Sequence, residues 1–177
     1  ITPMSAILKY TLWQTDNYRW YEDADYKLYS LDVLEDFFGY NKVFQLGWVG
    51  GMMNTFPVLY CNDSLHQSRA ASTIDFVVDR MQGKSGYFYG FWCDGGVRTE
   101  LKREIPEELL KEHPDVKVAM VRKNADALLW FCKQFMLLRD QGNKSLIKPS
   151  WESAAKRLAQ AFVNTWKVNG ELGQYVD

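Results

Sequence analysis

A chain of 177 residues, 47% hydrophobic and 24% charged, is long enough for one domain with a proper core. Its net charge of -1 leaves no basic excess for nucleic acid or an anionic membrane surface. No apolar run reaches membrane-spanning length, and Cys61, Cys93 and Cys132 form no CxxC pair, so buried free thiols are expected rather than a disulfide scaffold.

Residues 1 to 47 read as an N-terminal arm dense in aromatic and acidic side chains. Trp13, Tyr18, Trp20, Tyr21, Tyr26 and Tyr29 are interleaved with Asp16, Glu22, Asp23 and Asp25, which suits either a packed irregular arm or a binding surface. One short helix is predicted over 31 to 38, capped by Ser30 and stopped by Gly39. Residues 52 to 61 are apolar nearly all round, as in a helix buried on every side, although Pro57 is comfortable only in a first turn or at a kink. Asn62-Asp63 makes a tight turn, and Ser64-Leu65-His66-Gln67 has capping-box spacing with Ser64 set to cap the Gln67 amide. A helix over 65 to 82 follows, with Ala70, Ile74, Val77, Val78 and Met81 inward and Arg69, Ser72, Asp75 and Asp79 outward.

Gly83 ends that helix and opens a glycine-aromatic stretch read as a hairpin over 86 to 99, turning at Asp94-Gly95-Gly96. Residues 106 to 111 suit one or two helical turns with proline first, so 83 to 121 form a long elaborated connection of the kind that is often functional. Arg122 to Asp140 is the next helix, apolar all round at 127 to 132, with Arg122 and Asp126 at i and i+4. Residues 141 to 144 turn the chain. The helix over 150 to 169 places Trp151, Ala155, Leu158, Phe162 and Trp166 on one stripe, and Gly170 stops it. Sliding the sequence by about 87 residues lays Gly83, Gly86 and Phe88 onto Gly170, Gly173 and Tyr175.

The organisation is therefore a single domain, 1-177, mainly α, in which residues 48 to 177 form two antiparallel helical hairpins in a double layer with one aromatic β-hairpin insertion. Inner helices are apolar and outer ones amphipathic. The long loops and the inner-helix N-termini fall at one end, gathering Gln45, Trp48, the 87 to 98 segment, Arg122, Asp126 and the 170 to 177 loop on one face.

Gly47-Trp48-Val49-Gly50-Gly51, Gly86-Tyr87-Phe88-Tyr89-Gly90, Arg122-Lys123-Asn124-Ala125-Asp126 and Gly170-Glu171-Leu172-Gly173-Gln174-Tyr175, in this order and spacing, carry a resemblance. Over about residues 45 to 177 the chain resembles the six-hairpin (α/α)6-toroid glycosidases and their polysaccharide-lyase relatives. The resemblance implies part of an α/α toroid with an aromatic-lined glycan cleft at the inner-helix N-termini, a poly- or oligosaccharide as partner, and a secreted or periplasmic setting. A closed toroid needs more hairpins than are read here, so the chain is expected to be a fragment of a larger enzyme, its ring completed by the rest of the polypeptide, the alternatives being a ring completed by a partner or a small open bundle.

Glycoside hydrolysis requires two carboxyl groups about 5 to 9.5 Å apart, one of them kept protonated. Asp94, Glu171 and Asp177 are the carboxylates this arrangement brings to the cleft face, although turn chemistry alone explains an Asp before Gly-Gly. Gln45, Trp48, Tyr87, Tyr89, Trp92, Arg122, Asp126 and Gln174 are the candidate substrate-binding residues, the Trp and Tyr rings by stacking on sugar. Arg122 with Asp126 equally suits a helix-surface ion pair. The alternative function is a non-catalytic helical module binding carbohydrate or protein. A zinc-dependent cyclase of the lanthionine type is disfavoured, because no Cys-His-Gly occurs and His66 and His113 lack ligand-like spacing, so no metal or cofactor is expected.

Overall fold

The computed structural model describes residues 3–23, 25–29, 44–47, 52–93, 96–98, 108, 111, 119–173 and 175–176. These are mainly helical, with three small antiparallel sheets among them. The expected helix at 31 to 38 lies outside the described residues, as does most of the one at 106 to 111.

The N-terminal arm is more regular than its composition suggests. Helix α1, Met4–Gln14, follows Pro3, whose carbonyl accepts the Ala6 and Ile7 amides, and it widens into a π turn at Thr15–Arg19. No α1 residue is buried, which is why the sequence shows no stripe there: burial of one face is what imprints a 3.6-residue period. The reading of this stretch as irregular is corrected accordingly. Strands β1 (Trp20–Glu22) and β2 (Lys27–Tyr29) then pair antiparallel, Trp20 opposite Tyr29. Tyr29 is fully buried, and its amide donates to Thr73 Oγ1 at 3.0 Å, seating this hairpin on the helix that carries Thr73.

Four further helices carry most of the core. Helix α2, Met52–Tyr60, keeps Pro57 in its interior and buries Met52, Thr55, Val58 and Leu59 on one side. Pro57 and Tyr60 are exposed, so the expectation of burial all round is corrected: the missing amide of Pro57 falls on the outward face, where the freed carbonyl does least harm. Helix α3, Ser64–Arg80, is capped by Asp63, whose side chain accepts the His66 amide at 3.1 Å. Asp63 replaces the expected Ser64, since a carboxylate caps as well as a hydroxyl and also meets the helix dipole. Ala70, Ile74, Val77, Val78 and Met81 are all buried, as the stripe required.

Helix α4, Val121–Asp140, buries Ala127, Phe131, Gln134, Phe135 and Leu138. Leu129 and Cys132 are exposed, so its middle is not buried all round as expected; it presents one apolar face to α2 and another outward. Helix α5, Pro149–Asn169, begins with proline in its first turn and ends at Gly170, which takes the left-handed conformation (φ 71°) foreseen for it. Trp151 is buried, and its Nε1 donates to Asp75 Oδ1 at 2.8 Å while Lys148 Nζ meets Oδ2 at 2.6 Å. Trp166 is 56% exposed, a correction to the stripe: among the described residues the last turn of α5, 166 to 169, is exposed throughout.

Helix α2 packs against both α3 and α4, and α5 packs against α3 and α4. One buried polar link joins the α2–α4 seam: Thr55 Oγ1 donates to Gln134 Oε1 at 2.7 Å, and Gln134 Nε2 to the Met52 carbonyl at 3.1 Å. The turns after α2 and α4 meet at one end, where Asn143 Nδ2 donates to Asn62 Oδ1 at 2.7 Å.

The glycine-aromatic segment divides. Strands β4 (Phe91–Cys93) and β5 (Gly96–Arg98) pair with Cys93 opposite Gly96, and β3 (Phe44–Gln45) adds to the other edge of β4. The hairpin is thus shorter than the expected 86 to 99. Residues 83 to 90 instead fold against α3: the Gly86 amide donates to the Gly83 carbonyl, and Phe88 bridges to Gln82. Gly86 has φ 97°, and a Cβ there would stand 2.8 Å from the Arg157 carbonyl oxygen, so glycine is required twice over. Finally β6 (Ala119–Met120) pairs antiparallel with β7 (Tyr175–Val176) at the start of α4.

Candidate functional site

The expected face is the end where α2 and α4 begin. Asn124, fully buried in the first turn of α4, accepts the Phe88 amide at 2.7 Å and donates to the Phe88 and Met120 carbonyls, each at 3.0 Å. Because β7 pairs just before α4, the loops that follow α3 and α5 both return to this point. The glycine pairs themselves are not equivalent, however: positive φ falls on the second glycine of the first pair (Gly86) and on the first of the later pair (Gly170).

Strand β3 lies close to α4 as well. A Cβ on Gly47 would stand 2.9 Å from the Lys123 carbonyl oxygen and 3.3 Å from Asp126 Cβ. Asp126 thus lies beside Gly47, and Gln45 pairs with Phe91 of β4, but Gln45 is 1% exposed, and neither of its amide atoms bonds to any described residue. Lys123 is also buried, its ammonium 3.6 Å from the centre of the Phe91 ring. Sequence reasoning missed Lys123 because the run Arg122-Lys123-Asn124 looks like a solvated first turn. Arg122 alone of the three is exposed.

The candidate aromatic platform is largely spent on packing. Tyr87 is 3% exposed, its hydroxyl 2.7 Å from Thr165 Oγ1 and its ring edge-on to Phe162. Trp92 is half-buried against Phe76 and Tyr26, and Tyr89 is half-buried over Gly83. Glu171 is exposed just after α5. Asp94, Asp177, Trp48 and Gln174 lie outside the described residues.

A second polar cluster occupies the opposite end, at the turn between α2 and α3. Its centre is His66 in the first turn of α3, with Nδ1 2.5 Å from Asp63 Oδ2 and Nε2 2.9 Å from Asp16 Oδ2. Asp16 in turn receives the Tyr29 hydroxyl at 3.0 Å and Arg69 Nη1 at 2.7 Å, and the Arg69 guanidinium lies 4.9 Å from the Trp20 ring centre. Burial alone would lower the His66 pKa, but its hydrogen bonds to Asp63 and Asp16 outweigh that and raise it above the ordinary 6.5. The His66 backbone amide is the main reason the Asp63 carboxyl is held below its usual value. Burial, helped by the charges of Asp63 and Asp16, pushes the Cys61 thiol up, and burial beside Asp16 does the same to the Tyr29 hydroxyl.

Cys61, Asp63 and His66 each offer a ligand atom here, all within 4.8 Å of one another. The spacing gave no hint, since the grouping depends on Asn62 adopting φ 54° and folding residue 61 back over the first turn of α3. Comparison of the chain with models of known protein families, with curated proteins and with solved structures finds no match.

Proposed function

We propose that this chain is a helical-hairpin unit of a carbohydrate-active protein of the α/α-toroid kind, a glycoside hydrolase or polysaccharide lyase, with glycan held at the N-terminal end of α2 and α4. The observation that carries this reading is convergence: Asn124 holds the Phe88 loop, and β6 pairs with Tyr175–Val176, at the same first turn of α4. A cleft at inner-helix N-termini needs both loops there. The outward faces of α2 and α4 lend support, since Tyr60, Leu129 and Met136 are exposed apolar groups suited to packing against further hairpins of a ring. In this reading Asp94, Glu171 and Asp177 supply the carboxyl groups, and Arg122, Asp126 and Tyr89 the polar rim.

One specific observation favours the alternative, a non-catalytic helical module that binds carbohydrate or protein: Tyr87 and Trp92 use their rings in packing. Glycan arrays probed with the full-length polypeptide, combined with sugar release from the glycans it binds, separate the two. An enzyme binds and cleaves, and Asp94→Asn, Glu171→Gln or Asp177→Asn lowers turnover by about 100-fold or more with affinity retained. Binding without cleavage supports the module; neither binding nor cleavage of any glycan sinks the carbohydrate-active reading and leaves protein as the module's ligand.

A further inference from the structure

We propose that the turn joining α2 to α3 is a binding site for a divalent transition metal of the zinc class, ligated by Cys61 Sγ, Asp63 Oδ2 and His66 Nδ1, with Asp16 as the carboxylate that orients His66 from behind. The three ligand atoms already lie within 4.8 Å of one another. Tetrahedral zinc, with bonds of about 2.0 to 2.3 Å, holds its ligands about 3 to 4 Å apart, so small side-chain rotations close the site. Thiolate, imidazole and carboxylate together form a donor set that suits Zn²⁺ or Co²⁺ rather than the all-oxygen cations Mg²⁺ and Ca²⁺.

The two carboxylates have separable duties. Asp63 Oδ1 accepts the His66 amide and caps α3, which leaves Oδ2, the oxygen facing Nδ1, to bind metal. A cation between them takes the place of the proton that Nδ1 and Oδ2 share in the metal-free protein. His66 Nε2 faces Asp16, a residue 50 positions earlier in the chain, and Asp16 is itself fixed by Tyr29 and Arg69. Metal-bound histidines characteristically donate their second ring N–H to a carboxylate that fixes tautomer and ring orientation, and this backing is already built. It comes from the N-terminal arm, independently of the local turn that groups the ligands.

Access is open on the outer side. Asp63 is exposed, and Cys61 and His66 are partly so; the Cys61 thiol donates to the Pro57 carbonyl at 3.4 Å. Binding expels the thiol proton, so the bound sulfur is thiolate and the site gains affinity as pH rises. The three protein ligands leave a fourth corner for water, as in zinc sites that keep an exchangeable position.

The test uses the metal-free chain with Co²⁺ alone, followed by absorption, and with Zn²⁺ alone, followed by calorimetry. The expected result is one equivalent of Co²⁺ giving a thiolate-to-cobalt charge-transfer band and the visible bands of a tetrahedral site, displaced by Zn²⁺. Cys61→Ser removes the charge-transfer band and weakens Zn²⁺ binding at least about tenfold. Asp16→Asn weakens it about 10- to 100-fold while keeping the band, and Cys132→Ser changes neither. An octahedral cobalt spectrum without the thiolate band, or equal Zn²⁺ affinity in the wild type and Cys61→Ser, overturns the proposal. Should Cys61→Ser fail to fold, alkylation of Cys61 in the wild type decides: Zn²⁺ must slow it, and an unchanged rate overturns the proposal.

Discussion

Asn124→Ala should be among the most damaging single substitutions at the end where the two loops meet. In the bridge between Gln82 and Phe88 the flanking residues exchange the hydrogen bonds: Gly83 N–H to the Tyr87 carbonyl at 2.7 Å and Tyr89 N–H to the Met81 carbonyl at 2.9 Å. Phe88 therefore points its own amide and carbonyl the other way, and the Asn124 side chain takes both. Phe88 is fully buried, so after truncation neither group reaches water. Each orphaned group costs about 1–3 kcal/mol, and allowing for partial relaxation a total of about 3 kcal/mol is expected. For a domain of this size that lowers Tm by about 6–12 °C, readable by thermal or urea unfolding. Asn124→Asp should be at least as harmful at neutral pH, because it keeps the acceptor but turns a buried carboxylate toward two carbonyls. A loss below about 0.5 kcal/mol for Asn124→Ala would refute the claim that this amide carries the loop.

Other expectations follow from single features. Gly86→Ala should cost more than about 2 kcal/mol, combining left-handed strain with the 2.8 Å clash against the Arg157 carbonyl oxygen. Gly142→Ala, with φ 76° and open space, should cost only the strain of about 1–2 kcal/mol, and equal losses in unfolding would dismiss the clash. In metal-free protein Asp63→Ala should lose about 1 kcal/mol while Ser64→Ala loses a few tenths at most; the reverse order would return the cap to Ser64. Asp75→Ala should cost about 1–3 kcal/mol by stranding the buried Trp151 indole N–H, visible as a red-shifted or quenched tryptophan emission as well as a lower denaturation midpoint.

What could be read ahead of the structure follows burial. The helices at 64–80, 121–140 and 149–169 announce themselves because each buries a stripe and ends at a recognisable stop, Gly170 most plainly. Helix α1 buries nothing, so periodicity had nothing to report. Strand β3 is two residues long and exists only because β4 lies beside it, which no local propensity encodes. Lys123 and Asn124 look like solvated first-turn residues, yet one lies under the Phe91 ring and the other holds a loop 36 positions away in the chain. At the proposed glycan face the sequence overvalued the aromatics. Tyr87 carries the same ring whether it stacks on sugar or on Phe162, and only the fold decides which. The Cys61, Asp63 and His66 grouping was hidden for a related reason, since one backbone dihedral at Asn62 creates it.

The Thr55–Gln134 link governs alignment. Two helices that meet along aliphatic and aromatic side chains can slide past each other by one turn, about 5.4 Å, and still bury comparable surface. Such a slip in α2 against α4 would strip Gln134 of both Thr55 and the Met52 carbonyl, stranding an amide in a dry seam at about 1–3 kcal/mol for each unmet group. A single interlocked amide thus makes one longitudinal setting of the pair preferable to its neighbours. The first turn of α2 is thereby held beside Gln134, well along α4, while the turns that follow both helices stay joined through Asn62 and Asn143, so the pair presents a fixed rather than a sliding edge.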